Sequence, residues 1–258
     1  MAMRAIIIGA GRGSRLEHLT DEVPKTLVEV LGRPMLDQIL EALEHAGFAR
    51  KDVIFVAGYR AEEISRRYPE LQIVMNDEWE SNNILLSLMK ARRFMQDGFV
   101  STYADIIYRK EIARAVATSP HAIALGCDTA WRRRYAGRTQ HPETDAEKMI
   151  AVGDRVEQLS RRIASEEASG EFIGVMKAER DAAAALLEAF DRFEASFAGK
   201  TFREGRSFEK AYLIDFLQAV LEEGRLPMHR VSTPGGYMEI DTLQDRELAP
   251  HWWSFERS

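Results

Sequence analysis

The most constraining stretch of this 258-residue chain lies at its start, where the continuous apolar run Ala5-Ile6-Ile7-Ile8 leads straight into Gly9-Ala10-Gly11-Arg12-Gly13-Ser14-Arg15-Leu16. An apolar run without polar alternation is expected of a strand buried on both faces of a parallel sheet. Glycines directly behind such a strand let backbone N–H groups approach an anion without Cβ interference, so the segment reads as a candidate phosphate-binding loop. A tight strand-to-loop turn is the plain alternative. Spacing disfavours two familiar phosphate loops. The dinucleotide fingerprint needs glycine where Ser14 stands and an acid about 20 residues on at the end of a second strand, but the second apolar run, Val53–Ala57, comes later. A Walker A loop closes on Gly-Lys-Ser/Thr, and the nearest lysine is Lys25, in Val23-Pro24-Lys25-Thr26-Leu27.

Beyond the loop, Leu36, Ile39, Leu40, Leu43 and Ala46 recur at helical spacing and stop at Gly47. Val53–Ala57 then predicts a strand, with a short helix opening at Glu62, a third strand over Leu71–Met75, a helix over Ile84–Phe94 and a fourth strand from Phe99 that ends at Asp105. Further expected elements are a helix near Ile107–Ala117, a strand at Ala122–Leu125 and a ribbon at Met149–Val152 and Val156–Leu159. Helices are expected over Arg180–Phe197 and Phe208–Glu223, and a strand over Met228–Ser232. Strand–helix alternation followed by antiparallel additions predicts an α/β fold with a mixed sheet. With no internal repeat or Pro/Ser-rich linker, residues 1–258 read as a single domain.

Composition narrows the function classes. Hydrophobic residues make up 45% and charged residues 29%, the balance of an ordinary globular chain. The net charge of −6 argues against a nucleic-acid polymer or an anionic membrane as partner, but not against a small phosphate ligand. Cys127 is the only cysteine, which excludes an intrachain disulfide and a multi-cysteine metal cluster. No apolar run approaches the roughly 20 residues of a membrane span. The run after Met1 is too short for a signal peptide, so a cytoplasmic location is expected. His18, His45, His121, His141, His229 and His251 show no H-E-x-x-H spacing, and a G-x-S-x-G elbow is absent.

Taken together, Gly11-Arg12-Gly13-Ser14-Arg15-Leu16, Pro24-Lys25-Thr26-Leu27 and Leu31-Gly32-Arg33-Pro34-Met35-Leu36 resemble the nucleotidyltransferase family of the MobA-like NTP transferase type. The resemblance implies a Rossmann-like, mainly parallel sheet flanked by helices, with a small antiparallel insertion. It also implies Mg²⁺-assisted transfer of a nucleotidyl group from a nucleoside triphosphate to a phosphate-bearing acceptor, with release of pyrophosphate. Gly9, Ala10, Gly11, Arg12, Gly13 and Ser14 would then bind the nucleotide, and Arg15 and Lys25 would be catalytic. Cations around a reacting phosphoryl group stabilise the charge that builds there. Asp105, at the end of the fourth strand, and Asp241, in Gly235-Gly236-Tyr237-Met238-Glu239-Ile240-Asp241-Thr242, are the metal candidates, with Asp105 also at the nucleotide. Each could instead be a helix N-cap. Tyr237 stands where the family pattern leads one to expect Trp.

The segment from Cys127 to Met149 resembles more narrowly the cytidylyltransferases that act on phosphocholine or 2-aminoethylphosphonate, and so implies an acceptor-binding part around residues 122–178. On that resemblance Asp128, Trp131 and Tyr135 are candidates for an acceptor ammonium, and Arg132, Arg133, Arg138 and Lys148 for its phosphate or phosphonate. A solvated basic stretch is the plain reading of residues 132–134. Ser81-Asn82-Asn83-Ile84 matches the same relatives: Asn82 or Asn83 could read the cytosine or ribose edge, or cap the following helix. The expected function is Mg²⁺-dependent transfer of CMP from CTP, or another nucleoside triphosphate, to a small phosphate or phosphonate acceptor, with a homodimer left open. A sugar-phosphate or inositol-phosphate nucleotidyltransferase and a non-catalytic nucleotide-sensing module are the alternatives.

Overall fold

The computed structural model describes residues 3–255. The first half of the chain runs β1 (Arg4–Gly9), a ribbon of β2 (Glu29–Val30) and β3 (Arg33–Pro34), α1 (Met35–His45), β4 (Val53–Ala57), α2 (Ala61–Arg67), β5 (Gln72–Met75) and α3 (Ile84–Lys90). It continues with β6 (Phe99–Tyr103), β7 (Ile106–Tyr108), α4 (Lys110–Ala117) and β8 (Ile123–Asp128). The second half runs α5 (Arg132–Tyr135), β9 (Lys148–Val152), β10 (Arg155–Leu159), β11 (Gly170–Ala178), α6 (Arg180–Phe197) and a ribbon of β12 (Thr201–Phe202) and β13 (Arg206–Ser207). It closes with α7 (Leu213–Glu222), β14 (His229–Thr233), β15 (Tyr237–Glu239) and α8 (Leu243–Phe255). Among these residues no helix is long and apolar enough to cross a membrane.

A nine-stranded mixed sheet carries the described residues, in the order β5-β4-β1-β6-β11-β8-β14-β10-β9. The first four strands are parallel, and β11 enters antiparallel between β6 and β8. Side chains alternate along β1: Ile6 and Ile8 face a core shared with α3, α6 and α7, and Ala5 and Ile7 face one shared with α1, α2 and α4. Because both faces are covered, β1 and β4 read as unbroken apolar runs.

Two expectations change. Residues 106–108 form β7 rather than the start of a helix, because they pair antiparallel with Tyr237–Glu239 and α4 begins only at Lys110. The long strand β11 has no counterpart among the predicted elements. All nine of its residues are buried, but Glu171, Gly174 and Lys177 interrupt its apolar pattern. Lys177 keeps its charge satisfied by donating to Glu179 Oε1 at 3.0 Å and to the Ser119 carbonyl.

Gly174 is the hinge of β11. Before it, Gly170 and Glu171 pair with β9; after it, Val175–Ala178 pair with β6, and the register against β8 shifts between Phe172 and Met176. Its φ of +74° favours glycine, and a Cβ there would lie 2.3 Å from the Tyr103 ring. Gly174→Ala therefore lowers unfolding free energy by about 2 kcal/mol or more, read as a fall in Tm. An unchanged Tm would show that β11 and Tyr103 have room to give.

Candidate active site

Strand register assembles the site from distant segments. Ile8 pairs with Tyr103 in parallel β1 and β6, so the glycine loop and Asp105 leave the sheet side by side at its C-terminal edge, where α/β sheets receive ligands. Glu239 pairs with Ile106 across β15 and β7, and the Ile240 N–H donates to the Asp105 carbonyl at 2.9 Å, which brings Asp241 beside Asp105. Lys25 arrives on a single 3₁₀ turn, Lys25–Leu27, and its stem lies against Gly13. A Cβ on Gly13 would meet Lys25 Cδ at 2.5 Å, and Gly13 has φ +72°, so the loop needs glycine there.

The buried Lys25 ammonium donates to Asp105 Oδ2 at 2.9 Å and to Asp241 Oδ1, while Arg15 pairs with Asp241 Oδ2. Burial opposes charge on Lys25, but Asp105, Asp241 and Glu239 outweigh it and raise its pKa. Burial likewise opposes ionisation of Asp241, yet Lys25 and Arg15 bring its pKa down to about 2. Neither aspartate caps a helix. The cap of α8 is Thr242, whose Oγ1 accepts from the Asp245 N–H at 3.1 Å, while Asp245 Oδ2 accepts from the N–H groups of Asp241 (3.0 Å) and Thr242 (2.9 Å). α4 starts after Arg109, beyond the intervening β7.

Two cavities meet at this cluster. One, of about 350 Å³, is lined by Gly9, Ala10, Gly11, Gly13, Ser14, Arg15, Lys25, Trp79, Asn82, Asn83, Asp105 and Asp241 among others. The structure thus brings together most of the residues assigned to the nucleotide. Arg12 does not line it: its guanidinium pairs with Asp21 at 2.8 Å and lies over the Tyr59 ring. The two asparagine side chains reach the wall already partnered. Asn82 exchanges amide hydrogen bonds with Asn76 at 2.9 and 3.0 Å; Asn83 Oδ1 caps α3 by accepting from the Ile84 N–H at 2.9 Å, and its Nδ2 donates to the Lys210 carbonyl.

The second cavity, of about 320 Å³, shares Arg15 and Asp241 with the first and is otherwise lined by Tyr103, His141, Asp145, Glu147, Arg161, Glu171, Phe172, Arg206, Tyr212, Tyr237 and Glu239. None of the seven residues expected at the acceptor lines it. Asp128 is fully buried in an ion pair with Arg134, and its Oδ1 accepts from the Ala130 and Gly235 N–H groups. Trp131 is buried edge-on against Tyr135, whose hydroxyl donates to Glu171 Oε1 at 2.6 Å. Arg132 and Arg133 are exposed, the former 3.8 Å from Glu143. Arg138 is buried, with Nε donating to Asp245 Oδ1 at 2.8 Å. Lys148 Nζ donates to the Arg161 carbonyl at 2.6 Å, anchoring the segment that carries Arg161. Asp128, Tyr135, Arg138 and Lys148 thus brace this cavity from behind, and Lys148 also lines an adjoining outer cavity.

The signal for the missed residues was strand parity. Tyr237, Glu239 and Asp241 sit at alternate positions, as do Tyr103 and Asp105, whereas Asp145 and Glu147 lie on a 3₁₀ turn and the link before β9, outside any strand. Glu239, His141 and Asp241 offer atoms within 4.8 Å of one another. His141 nevertheless fits a positioning part better than a ligand's. Its Nδ1 faces Arg138 at 2.7 Å and so accepts, leaving Nε2–H directed at Glu239 Oε2, 3.5 Å away. Burial, then the charges of Asp241 and Asp105, hold Glu239 well above the usual carboxylate range.

The strand-end glycine loop and the lysine held between two aspartates lie in a nucleotidyltransferase. The chain belongs to the MobA-like NTP transferase family, whose domain matches residues 5–206. It is 25% identical to the CTP:phosphoglutamine cytidylyltransferase of Campylobacter jejuni over 95% of this chain and 98% of that protein. A shorter match, 37% identity over 36% of this chain and 39% of the relative, is to the 2-aminoethylphosphonate cytidylyltransferase of Lancefieldella rimae. The fold is that of the CTP:phosphocholine cytidylyltransferase of Streptococcus pneumoniae, with a TM-score of 0.69 at 21% identity over 97% of this chain and 99% of that one. The inositol-1-phosphate CTP transferase of T. maritima superposes similarly, with a TM-score of 0.70 at 21% identity over 97% and 96% of the two chains.

One carboxyl in the second cavity is perturbed although Arg161 lies in the same wall and works the other way. Burial raises the Glu147 pKa to about 8, and its hydrogen-bond partner is the Tyr103 hydroxyl, donating at 3.0 Å. Because the folded state holds this proton more tightly than the unfolded chain, its contribution to stability is complete below about pH 4.5 and is lost as pH rises through 8. Between pH 5 and 9 the wild-type Tm should fall relative to Glu147→Gln by about 4 °C or more. Parallel Tm profiles would contradict an elevated Glu147.

Proposed function

We propose that the enzyme is a Mg²⁺-dependent cytidylyltransferase: it transfers CMP from CTP to a small phosphate or phosphonate acceptor of the phosphocholine or 2-aminoethylphosphonate type. The observation that carries this reading is the shared wall of Arg15 and Asp241, which puts a glycine-loop cavity and a tyrosine- and carboxylate-lined cavity on two sides of the Lys25 cluster. Support for CTP comes from the cytidylyltransferase names of the full-length Campylobacter jejuni relative and the partial Lancefieldella rimae one.

In this reading the loop's backbone N–H groups and Arg15 receive the triphosphate, and Lys25 lies beside the α-phosphate. An acceptor oxygen forms the new bond to the α-phosphorus in line as the bond to the β-phosphate oxygen breaks, and pyrophosphate leaves. The acceptor oxygen is already ionised near neutral pH, so orientation and charge neutralisation do the catalytic work and a general base is not required.

Asp105 and Asp241 are the residues that would hold Mg²⁺. Their carboxylate oxygens converge on one point, where Lys25 Nζ now supplies positive charge, and an all-oxygen pair suits a hard cation that keeps substrate phosphates among its ligands. When bound, Mg²⁺ supplies charge that offsets that of the phosphates. Glu147 and Glu239, whose pKa values burial raises, would ionise against an acceptor ammonium, with the surrounding tyrosines facing it.

Lys25→Ala should lower pyrophosphate release by about 100-fold or more with the far-UV CD spectrum retained. Asp105→Ala and Asp241→Ala should each move the midpoint of a Mg²⁺ titration upward by about tenfold or more. Near-normal turnover in the first variant, or unchanged titrations in the other two, would overturn these assignments.

A further inference from the structure

Asn76, directly after β5, is fully buried and lines neither cavity, yet two of its hydrogen-bond partners, Asn82 and Ser87, line the first one. Its backbone is held on both sides: the N–H donates to the Ala57 carbonyl at 2.7 Å, and the carbonyl accepts from the Trp79 N–H at 3.3 Å. Its amide is fully used. Oδ1 accepts from the Glu78 N–H at 3.2 Å and from Asn82 Nδ2 at 3.0 Å, while Nδ2 donates to Asn82 Oδ1 and to Ser87 Oγ, both at 2.9 Å. A backbone N–H can only donate, so Glu78 fixes which end of the Asn76 amide is oxygen, and Asn76 in turn fixes the amide of Asn82. Turning the Asn82 amide over would set oxygen against oxygen and nitrogen against nitrogen in a buried place, with both exchanged bonds lost.

We propose that Asn76 is a positioning residue for base choice: by holding the Asn82 amide in one orientation it decides which pyrimidine, cytosine or uracil, the nucleotide cavity takes. The proposal rests on the transfer reading above for placing the triphosphate at the glycine loop and Lys25. The base then falls among the remaining lining residues, which offer one aromatic side chain, Trp79, and the polar side chains of Asn82 and Ser87. Asn76 takes one of the two amide protons of Asn82 and one of its two oxygen lone pairs, which leaves one of each for a ligand. Cytosine presents a donor at its 4-position beside an acceptor at N3, and uracil presents the reverse. An amide that can turn over satisfies either base, whereas one held in place satisfies one and meets the other with like groups.

Asn76→Asp removes the hold, because a carboxylate there cannot donate to Asn82 Oδ1 and accepts the Ser87 proton instead. Calorimetric titration of CTP and of UTP, each with Mg²⁺, into the wild-type protein should show CTP binding at least about tenfold tighter, and Asn76→Asp should bring the two within about threefold with the far-UV CD spectrum retained. In pyrophosphate release the change should fall on KM for CTP and leave kcat within about threefold, because the base lies away from the α-phosphorus. Asn82→Asp, which removes the presented amide proton and leaves Asn76 in place, should lower the same ratio and keeps the test open if the buried variant fails to fold. Equal binding of CTP and UTP by wild type, or a ratio unchanged in the folded variants, would overturn the proposal and leave the transfer reading standing. A preference for UTP that collapses in Asn76→Asp would sink the CTP reading and leave the role of Asn76 standing, as would selective binding of CTP without any turnover for the transfer reading.

Discussion

A buried ammonium between two carboxylates holds this structure's functional half together. Lys25, Asp105 and Asp241 come from segments 80 and 216 residues from the lysine, and each enters the cluster on a different element. Such a cluster is tolerated only when every charge is partnered, since a buried charge that loses its partner costs about 3–5 kcal/mol. The loop, the β6 edge and the β7–β15 ribbon are therefore tied to one point. In the proposed reaction a phosphate ligand and its cation would enter this same charge balance.

Behind the cluster lies a layer that braces Asp241 and reaches the second cavity only through His141. Asp245 accepts the Asp241 and Thr242 N–H groups, Arg138 neutralises Asp245, and His141 stands between Arg138 and Glu239. Burial works against charge on Asp245, yet its partners draw its pKa well down, so the layer stays ionised. On the acceptor side Arg134 plays a comparable part. It binds Asp128 and Glu171 and lies over Tyr237, joining the ends of β8, β11 and β15. Rigidity of this kind matters because in-line transfer depends on sub-ångström placement of the reacting groups.

The gathering of the glycine loop, Lys25, Asp105 and Asp241 around one cavity was legible in the sequence because these residues sit at strand ends or turns that local patterns mark. The buried run before Gly9, the Pro-Lys-Thr-Leu turn and the acids after β6 and β15 need only parallel pairing to converge. The acceptor half was less legible for three physical reasons. Glu147, just ahead of β9, lines the second cavity, whereas Lys148, the first residue of the strand, faces the outer one and the Arg161 carbonyl. Arg134, Arg138, Asp128 and Tyr135 have the residue types of a ligand site but spend them on one another, and whether a charge is already satisfied depends on long-range pairing. The central strand β11, whose Glu171 and Phe172 line the cavity, hides its periodicity behind the Gly174 bend and a buried lysine. The net charge of −6 proved uninformative about the site, where cations and acids alternate over a few residues.

The proposed transfer requires the two cavities flanking Arg15 and Asp241 to work on one reaction. Following the label of α-³²P CTP in the presence of Mg²⁺ and a phosphonate acceptor tests it directly. The label is expected to move into a new phosphonate–CMP anhydride in step with pyrophosphate release and only when both compounds are present. Label released as free CMP, or left in CTP with every such acceptor, would contradict it.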